Sequence, residues 1–300
     1  MNQVLLLPAV PAQVPALIDR VCALEPGLRF LSGFDRHDDD TLAGVDVVLG
    51  WQFRGGIVAR LTGLRWVCCM AAGVEKLLVP ELPLHVPVTR VVDPDQALGM
   101  AQYTAAVVLR HVRGLARYDG QQAARDWTRQ PMAAARQRVC VLGWGEVGRE
   151  VARVLQALGL QVRGWHRDGT PLQQALADAQ VVVNTLPLTP QTAGLLDAAA
   201  FAAMPRGAYL VNIARGGHVV EADLIAAVRA GHLAGAALDV QAHEPLPPED
   251  PLWTVPGISI TPHIAAQPDH ATVAAQFVAN LRRLRAGQPL LNQVDRERGY

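Results

Sequence analysis

The chain carries no net charge: 27 Lys and Arg balance 27 Asp and Glu over 300 residues. It contains no long basic block, so it lacks the electrostatic footprint of a nucleic-acid partner. Its four cysteines, Cys22, Cys68, Cys69 and Cys140, form no Cys-x-x-Cys pair and no metal-ligand spacing. Three of them lie inside apolar runs, where a thiol behaves as a small hydrophobe, so no metal site is expected. That usage fits a reducing, cytoplasmic compartment. No charge-free apolar stretch reaches the ~18–20 residues of a membrane span, and no membrane partner is expected. The apolar start has no basic n-region and is broken by Pro8. It reads as a first strand, Val4–Leu7, rather than a leader. Internal repeats and low-complexity segments are absent.

What is abundant is hydrophobic: 50% of the residues, enough for a large core. The length suggests about two domains. Apolar runs of strand length alternate with amphipathic stretches, the pattern of an α/β chain with parallel sheets. Strands are expected at Val4–Leu7, Leu28–Leu31, Val45–Leu49, Trp66–Met70 and Val86–Val91, with a helix at Val14–Leu24. From Leu98 to Tyr118 the spacing of Met100, Ala101, Val107, Val108, Leu109, Val112 and Leu115 suits one long helix. The polar stretch Asp119–Gln137 shows no strong periodicity. A second module opens at Arg138, with strands expected at Val139–Leu142, Leu160–Trp165, Val181–Asn184, Ala208–Ile213, Ala236–Val240 and Ile258–Ile260. Helices fall at Val147–Leu158, Asp197–Ala203 and Glu221–Ala230, the last followed by Gly231 as a left-handed cap. This is a doubly wound pattern. A final helix, about Pro268–Ala286, is expected to return to the first module.

A glycine turn opens the second module: strand Val139–Leu142, then Gly143-Trp144-Gly145-Glu146-Val147-Gly148, then a helix. Gly-x-Gly-x-x-Gly is a weak signal alone, but strand, turn and helix together point to dinucleotide binding. Gly143 permits the tight turn, Gly145 lets backbone approach a pyrophosphate, and Gly148 lets helix and strand pack closely. The helix N-terminus offers unpaired N–H groups and partial positive charge. The end of the next strand selects the cofactor, because an acid there binds the ribose 2′-OH of NAD. Here the chain reads Gly164-Trp165-His166-Arg167. A guanidinium can bind a 2′-phosphate bidentately, so NADPH is expected to be preferred, with Arg167 and His166 as contacts. A two-residue slip would instead make Asp168 the ribose acid, which leaves NADH open.

Three residues at strand ends carry the chemistry. Arg215 follows Ala208–Ile213, where parallel sheets bind ligands, and its fork of donors suits the carboxylate and keto oxygen of a 2-keto acid. Glu244 follows Ala236–Val240, and His263 follows Ile258–Ile260. Ketone reduction by hydride needs a proton for the developing alkoxide, and histidine is the usual donor. A carboxylate beside it fixes the ring and favours imidazolium. His243 and His270 read as structural, and His243, Glu244 and His263 have no recognisable metal-ligand spacing. In the first module, the small residues Ala72, Gly73 and Val74 after Trp66–Cys69 could present N–H groups to a carboxylate. Trp51 is a candidate wall of the substrate pocket, and Arg54 a candidate cation.

Together these residues resemble the D-2-hydroxyacid dehydrogenase family, and within it the glyoxylate/hydroxypyruvate reductase A branch. The resemblance rests on Ala72-Gly73-Val74, Gly143–Gly148, Leu186-Pro187-Leu188-Thr189-Pro190, Asn212-Ile213-Ala214-Arg215-Gly216, Leu238-Asp239-Val240, Glu244-Pro245-Leu246-Pro247 and Thr261-Pro262-His263, and on the closing stretch from Gln293. It implies a Rossmann-type cofactor domain, 98–266, inserted into a smaller flavodoxin-like substrate domain, 1–97 plus 267–300. Arg215 and His263 would be catalytic, with Glu244 orienting His263. Leu186, Pro187, Ile213 and Ala214 would line the cofactor, and Asp239 would lie near the nicotinamide. Backbone at Ala72–Val74 would take the substrate carboxylate, and a homodimer would form through the cofactor domains. The expected reaction is NADPH-dependent reduction of glyoxylate or hydroxypyruvate, with His263 supplying the proton. Two other readings stand beside it: an NADH-linked reductase of a bulkier keto acid, and a nucleotide-sensing protein without turnover. One departure is the segment from Asp168 to Asp178, short for the branch and lacking a second basic residue.

Overall fold

The computed structural model describes residues 2–9, 11–131, 136–166, 169–267 and 269–299. It forms two compact units, Met1–Asp93 with Gln267–Tyr300, and Pro94–Ala266. The first crossing falls after Asp93 rather than after residue 97. Pro94 begins a helix there, a position where its missing N–H costs nothing.

The first unit contains β1 (Gln3–Leu7), α1 (Val14–Leu24), β2 (Arg29–Ser32), α2 (Asp39–Ala43), β3 (Val47–Gly50), β4 (Trp66–Cys69) and β5 (Val88–Thr89). The strands are parallel in the order β2-β1-β3-β4-β5, the flavodoxin-like order. Alternate residues of β1, β3 and β4 feed two separate cores. Leu5, Leu7, Val48, Val67 and Cys69 face one way. Val4, Leu6, Val47, Leu49, Trp66 and Cys68 face the other. A strand buried on both faces must be apolar throughout, which is why these segments read as unbroken hydrophobic runs. The expected strand Val86–Val91 shrinks to Val88–Thr89, because Pro87 has no N–H to give the ladder. The strand expected from Val45 begins at Val47, since Asp46 turns its carboxylate to the backbone of Asn2 and Gln3.

The second unit contains α3 (Pro94–Val112), α4 (Leu115–Ala124), β6 (Arg138–Leu142), α5 (Glu146–Ala157), β7 (Gln161–Trp165), α6 (Leu172–Leu176), β8 (Val181–Asn184), α7 (Ala198–Ala203), β9 (Ala208–Asn212), α8 (Glu221–Arg229), β10 (Leu233–Leu238) and β11 (Ile258–Ile260). Its six parallel strands run β11-β10-β9-β8-β6-β7. From β6 the chain first builds outward to β7, then crosses back to β8 on the other side. Such a reversal opens a crevice at the carboxyl ends of the two central strands. The single helix expected over Leu98–Tyr118 is two helices. Gly114, in the left-handed conformation at φ 64°, breaks it although the apolar spacing runs on to Leu115. Gly231, with the same φ of 64°, follows the C-cap Ala230 and turns the chain out of α8 in the left-handed conformation.

The chain re-enters the first unit as α9 (His270–Arg285), shorter than the expected Pro268–Ala286; Pro268 lies outside the described residues. Its Val273, Phe277 and Leu281 pack with Leu17 and Val21 of α1, and Phe277 stacks on Trp66 at 5.2 Å. Among the described residues, no helix is long and apolar enough to cross a membrane, and no group of three His, Cys, Asp or Glu is placed to hold a metal.

Candidate active site

The turn after β6 uses its three glycines for three purposes. Gly143 has φ 95° and donates its N–H to the Trp165 carbonyl at 2.8 Å. A Cβ there would come within 2.8 Å of Thr185 Oγ1, so the turn after β8 also needs this glycine. Gly148, inside α5, lies against the Gly143 carbonyl and leaves no room for a Cβ. Gly145 is the N-cap of α5, and nothing lies within 4 Å of where its Cβ would project. A 12-residue helix whose N-cap glycine carries no side chain and has no atom within 4 Å of its Cβ direction suits a dinucleotide pyrophosphate. Glu146 and Val147 form that first turn, and Trp144 packs on Gly164, where a Cβ would collide with the indole. Arg149, which spacing alone does not single out, donates Nε–H to the Trp144 carbonyl at 2.9 Å. His166 is exposed just past β7, and its carbonyl accepts the Gly169 N–H at 3.1 Å. Arg167 and Asp168 lie outside the described residues.

Beneath the turns after β8 and β9 sits an asparagine pair. Asn184 and Asn212 are register partners, both fully buried, with Asn184 Nδ2 donating to Asn212 Oδ1 at 3.0 Å. Asn184 Oδ1 accepts the Leu186 N–H at 3.2 Å, which fixes the start of Leu186-Pro187. Asn212 Oδ1 accepts the Ala214 N–H at 3.2 Å, and its Nδ2 donates to the Arg215 carbonyl at 2.9 Å. The pair thus sets the path of Ile213, Ala214 and Arg215. Arg215 is extended, with Nη1 donating to the Ala214 carbonyl at 2.7 Å. Gly216 lies directly on the Gln241 carbonyl and the Ala242 amide; a Cβ there would collide with main chain. The turn that bears Arg215 is therefore seated on the turn that follows β10.

That second turn begins with Asp239, which is 1% exposed. Its carbonyl accepts the His263 N–H at 2.8 Å. Oδ1 accepts the Thr261 hydroxyl at 2.6 Å and the Ile264 N–H at 2.9 Å, and Oδ2 accepts the Ala265 N–H at 2.8 Å. One buried residue thus holds the whole loop after β11. Within that loop His263 adopts φ 54°, a conformation uncommon outside glycine. Its Nδ1 lies 2.9 Å from Glu244 Oε2, and the two side chains are 32% and 29% exposed. Glu244 Oε1 in turn accepts the Gln241 N–H at 3.1 Å. Nδ1 is engaged by a carboxylate, so Nε2 is the nitrogen able to pass a proton to a substrate.

In the first unit, Ala71 and Val74 are buried while Ala72 and Gly73 are half-buried, in a turn directly after β4. The Gly73 carbonyl accepts the Cys69 thiol at 3.2 Å, and the Val74 carbonyl accepts the Leu77 N–H at 2.9 Å. Trp51 is half-buried against the unit's core, with Lys76 Nζ 5.5 Å from its ring centre. The Arg54 guanidinium stacks 4.0 Å above the Phe34 ring.

A doubly wound sheet, a glycine turn at its switch point and a histidine–carboxylate pair at neighbouring strand ends define a dinucleotide-dependent oxidoreductase. The sequence model described as D-isomer specific 2-hydroxyacid dehydrogenase, NAD binding domain, matches residues 105–265. The glyoxylate/hydroxypyruvate reductase A of Yersinia enterocolitica is 38% identical over 274 residues, 85% of this chain and 88% of its own length. Among solved structures, a D-isomer specific 2-hydroxyacid dehydrogenase from Xanthobacter autotrophicus Py2, in complex with NADPH and MES, is 39% identical with a TM-score of 0.89, covering 100% of this chain and 99% of that one. An NADPH-dependent glyoxylate/hydroxypyruvate reductase from Sinorhizobium meliloti, in complex with NADP and sulfate, is 30% identical with a TM-score of 0.90, covering 100% of both chains. The chain belongs to the D-isomer specific 2-hydroxyacid dehydrogenase family of NAD(P)-dependent oxidoreductases, and it groups there with the glyoxylate/hydroxypyruvate reductase A branch.

Proposed function

We propose that this chain reduces glyoxylate and hydroxypyruvate to the corresponding 2-hydroxy acids, with NADPH as its preferred cofactor. The observation that carries the reading is the Glu244–His263 pair at 2.9 Å, on a loop held by Asp239. NADPH, when bound, supplies the hydride that adds to the keto carbon. As that carbon gains the electron pair, the carbonyl π electrons move onto oxygen, and His263 Nε2 delivers the proton that neutralises it. Glu244 keeps the ring oriented and balances imidazolium charge. Arg215 holds the substrate carboxylate and polarises the keto oxygen. Gly143–Gly148, Leu186, Pro187, Ile213 and Ala214 are our assignment for the cofactor cradle, with Asp239 at the nicotinamide end. His166 and Arg167 are assigned to the 2′-phosphate; the relatives solved with NADPH or NADP favour this over NADH. Backbone at Ala72, Gly73 and Val74 is assigned to a substrate carboxylate contact, and Trp51 to an apolar contact.

The test is a comparison of initial rates with NADPH and NADH over glyoxylate, hydroxypyruvate and an aryl pyruvate. The expected result is fastest turnover of the two small acids with NADPH. Preference for NADH and the aryl acid would replace the assignment with the bulkier-substrate reductase. No oxidation of either cofactor with any acid would leave a nucleotide-binding protein without turnover. We further infer a homodimer formed through the second unit, where Trp127 is 95% exposed and Leu115 and Tyr118 are also exposed. Sedimentation should show a dimer that Trp127→Asp converts to a monomer.

A further inference from the structure

Tyr103 lies within α3, far in sequence from the proposed proton donor. Its hydroxyl is 2.6 Å from Thr261 Oγ1, which is itself 2.6 Å from Asp239 Oδ1. The direction of these bonds follows from the donors available. A carboxylate accepts only, so Thr261 gives its single hydroxyl hydrogen to Asp239. Thr261 Oγ1 then has only lone pairs to offer, and Tyr103 must be the donor to it. Burial raises the Tyr103 pKa, so the phenol keeps the proton it donates. The chain ends on the backbone of the catalytic loop, where Asp239 binds the N–H groups of Ile264 and Ala265, and its carbonyl binds that of His263. Three consecutive amides around a left-handed histidine thus depend on how one carboxyl residue is set.

We propose that Tyr103 is a positioning residue for His263, acting through Thr261 and Asp239. The proposal rests on the reading of His263 as proton donor. The hydrogen-bond donors to the Asp239 carboxylate all belong to the loop itself, at Thr261, Ile264 and Ala265. Tyr103 is the group that ties this arrangement to a helix, 158 residues away in sequence from Thr261. A left-handed non-glycine residue persists only where its surroundings hold it. Without the phenol, the threonine hydroxyl loses its reference and the Asp239 carboxylate loses a fixed donor.

The experiment compares Tyr103→Phe, Thr261→Val and Thr261→Ser with His263→Ala. It reads kcat, the KM for NADPH and amide hydrogen exchange of the 261–266 segment. Tyr103→Phe and Thr261→Val should each lower kcat by about fivefold to tenfold, the scale of one lost hydrogen bond. Both should speed exchange at Ile264 and Ala265 and leave the KM for NADPH unchanged. Thr261→Ser keeps the hydroxyl and should keep activity. Because both groups lie on one chain, Tyr103→Phe with Thr261→Val should be no worse than Thr261→Val alone. Unchanged kcat and exchange in Tyr103→Phe, or fully additive losses in the double variant, overturns the proposal. Near-normal turnover in His263→Ala would instead overturn the proton-donor reading, while the exchange data still decide whether Tyr103 holds the loop.

Discussion

Glu244 Oε2 and His263 Nδ1 meet at 2.9 Å across 19 positions of sequence, because β10 and β11 are parallel neighbours and both residues follow their carboxyl ends. If this pair is the proton-delivering unit, His263→Ala should reduce kcat by ~10²–10⁴, the usual contribution of general acid catalysis. The KM for NADPH should stay close to that of the parent. Glu244→Gln keeps the shape but not the charge, and should give a smaller loss. Steady-state rates decide it, and His263→Ala with near-parent turnover removes the assignment.

Two glycines should respond in opposite ways. At Gly216 a Cβ would strike the main chain of Gln241 and Ala242, which cannot rotate aside as a side chain could. Gly216→Ala should cost about 1–3 kcal/mol of stability, the range for overpacking, and displace Arg215. Thermal melting and kcat should both fall. Gly145→Ala meets no atom within 4 Å, so melting should be unchanged while the KM for cofactor rises. A normal cofactor KM in Gly145→Ala would remove that residue from the pyrophosphate cradle.

Cofactor choice is predicted to rest on charge just past β7. Arg167→Ala should raise the KM for NADPH far more than that for NADH, because a guanidinium adds nothing for a cofactor without the 2′-phosphate. Equal changes for both cofactors would dismiss Arg167 as the selective group.

Acid stability should depend on Glu25. Hydrogen bonds from Arg282 first, then Arg285, hold its carboxyl below the ordinary glutamate pKa. Arg282 Nε and Arg285 Nη1 lie 2.9 Å and 2.6 Å from its oxygens, tying α9 to the end of α1. A depressed carboxylate pKa stabilises the fold above the unfolded-state value and loses that contribution as pH falls through the folded one. Melting temperature should therefore drop more in the parent than in Glu25→Gln as pH is lowered from about pH 6 to about pH 3, through and below the ordinary glutamate value. Parallel curves would show that the pair contributes nothing to acid sensitivity.

Much of the fold was legible because its strands are buried on both faces. Val181–Asn184, buried throughout, read to the residue. So did the partly buried edge strand Ile258–Ile260, and Val14–Leu24, whose ends are marked by the prolines before it and Glu25-Pro26-Gly27 after it. Reading failed where one backbone position outweighed side-chain spacing. Gly114 splits an apolar stripe that would otherwise continue, and Pro87 shortens β5. At the site, Arg215, Glu244 and His263 stand out in sequence because each interrupts the apolar text shortly after a strand. Asn184, Asn212, Tyr103 and Thr261 do not. Their roles come from cross-strand register and from helix-to-loop packing, and spacing along one chain displays neither.

The outermost position of β7 shapes how this molecule behaves in a crowded solution. β7 has β6 on one side and no described strand on the other, so its outer rim presents main-chain groups that another polypeptide could join. Its composition opposes that: Gln161, Arg163 and Gly164 replace the valines of the interior strands, and Arg163 is held by Asp178 and the Ala175 carbonyl. Polar and charged side chains on a strand at a sheet edge disfavour such pairing, so the composition of β7 works against edge-to-edge association.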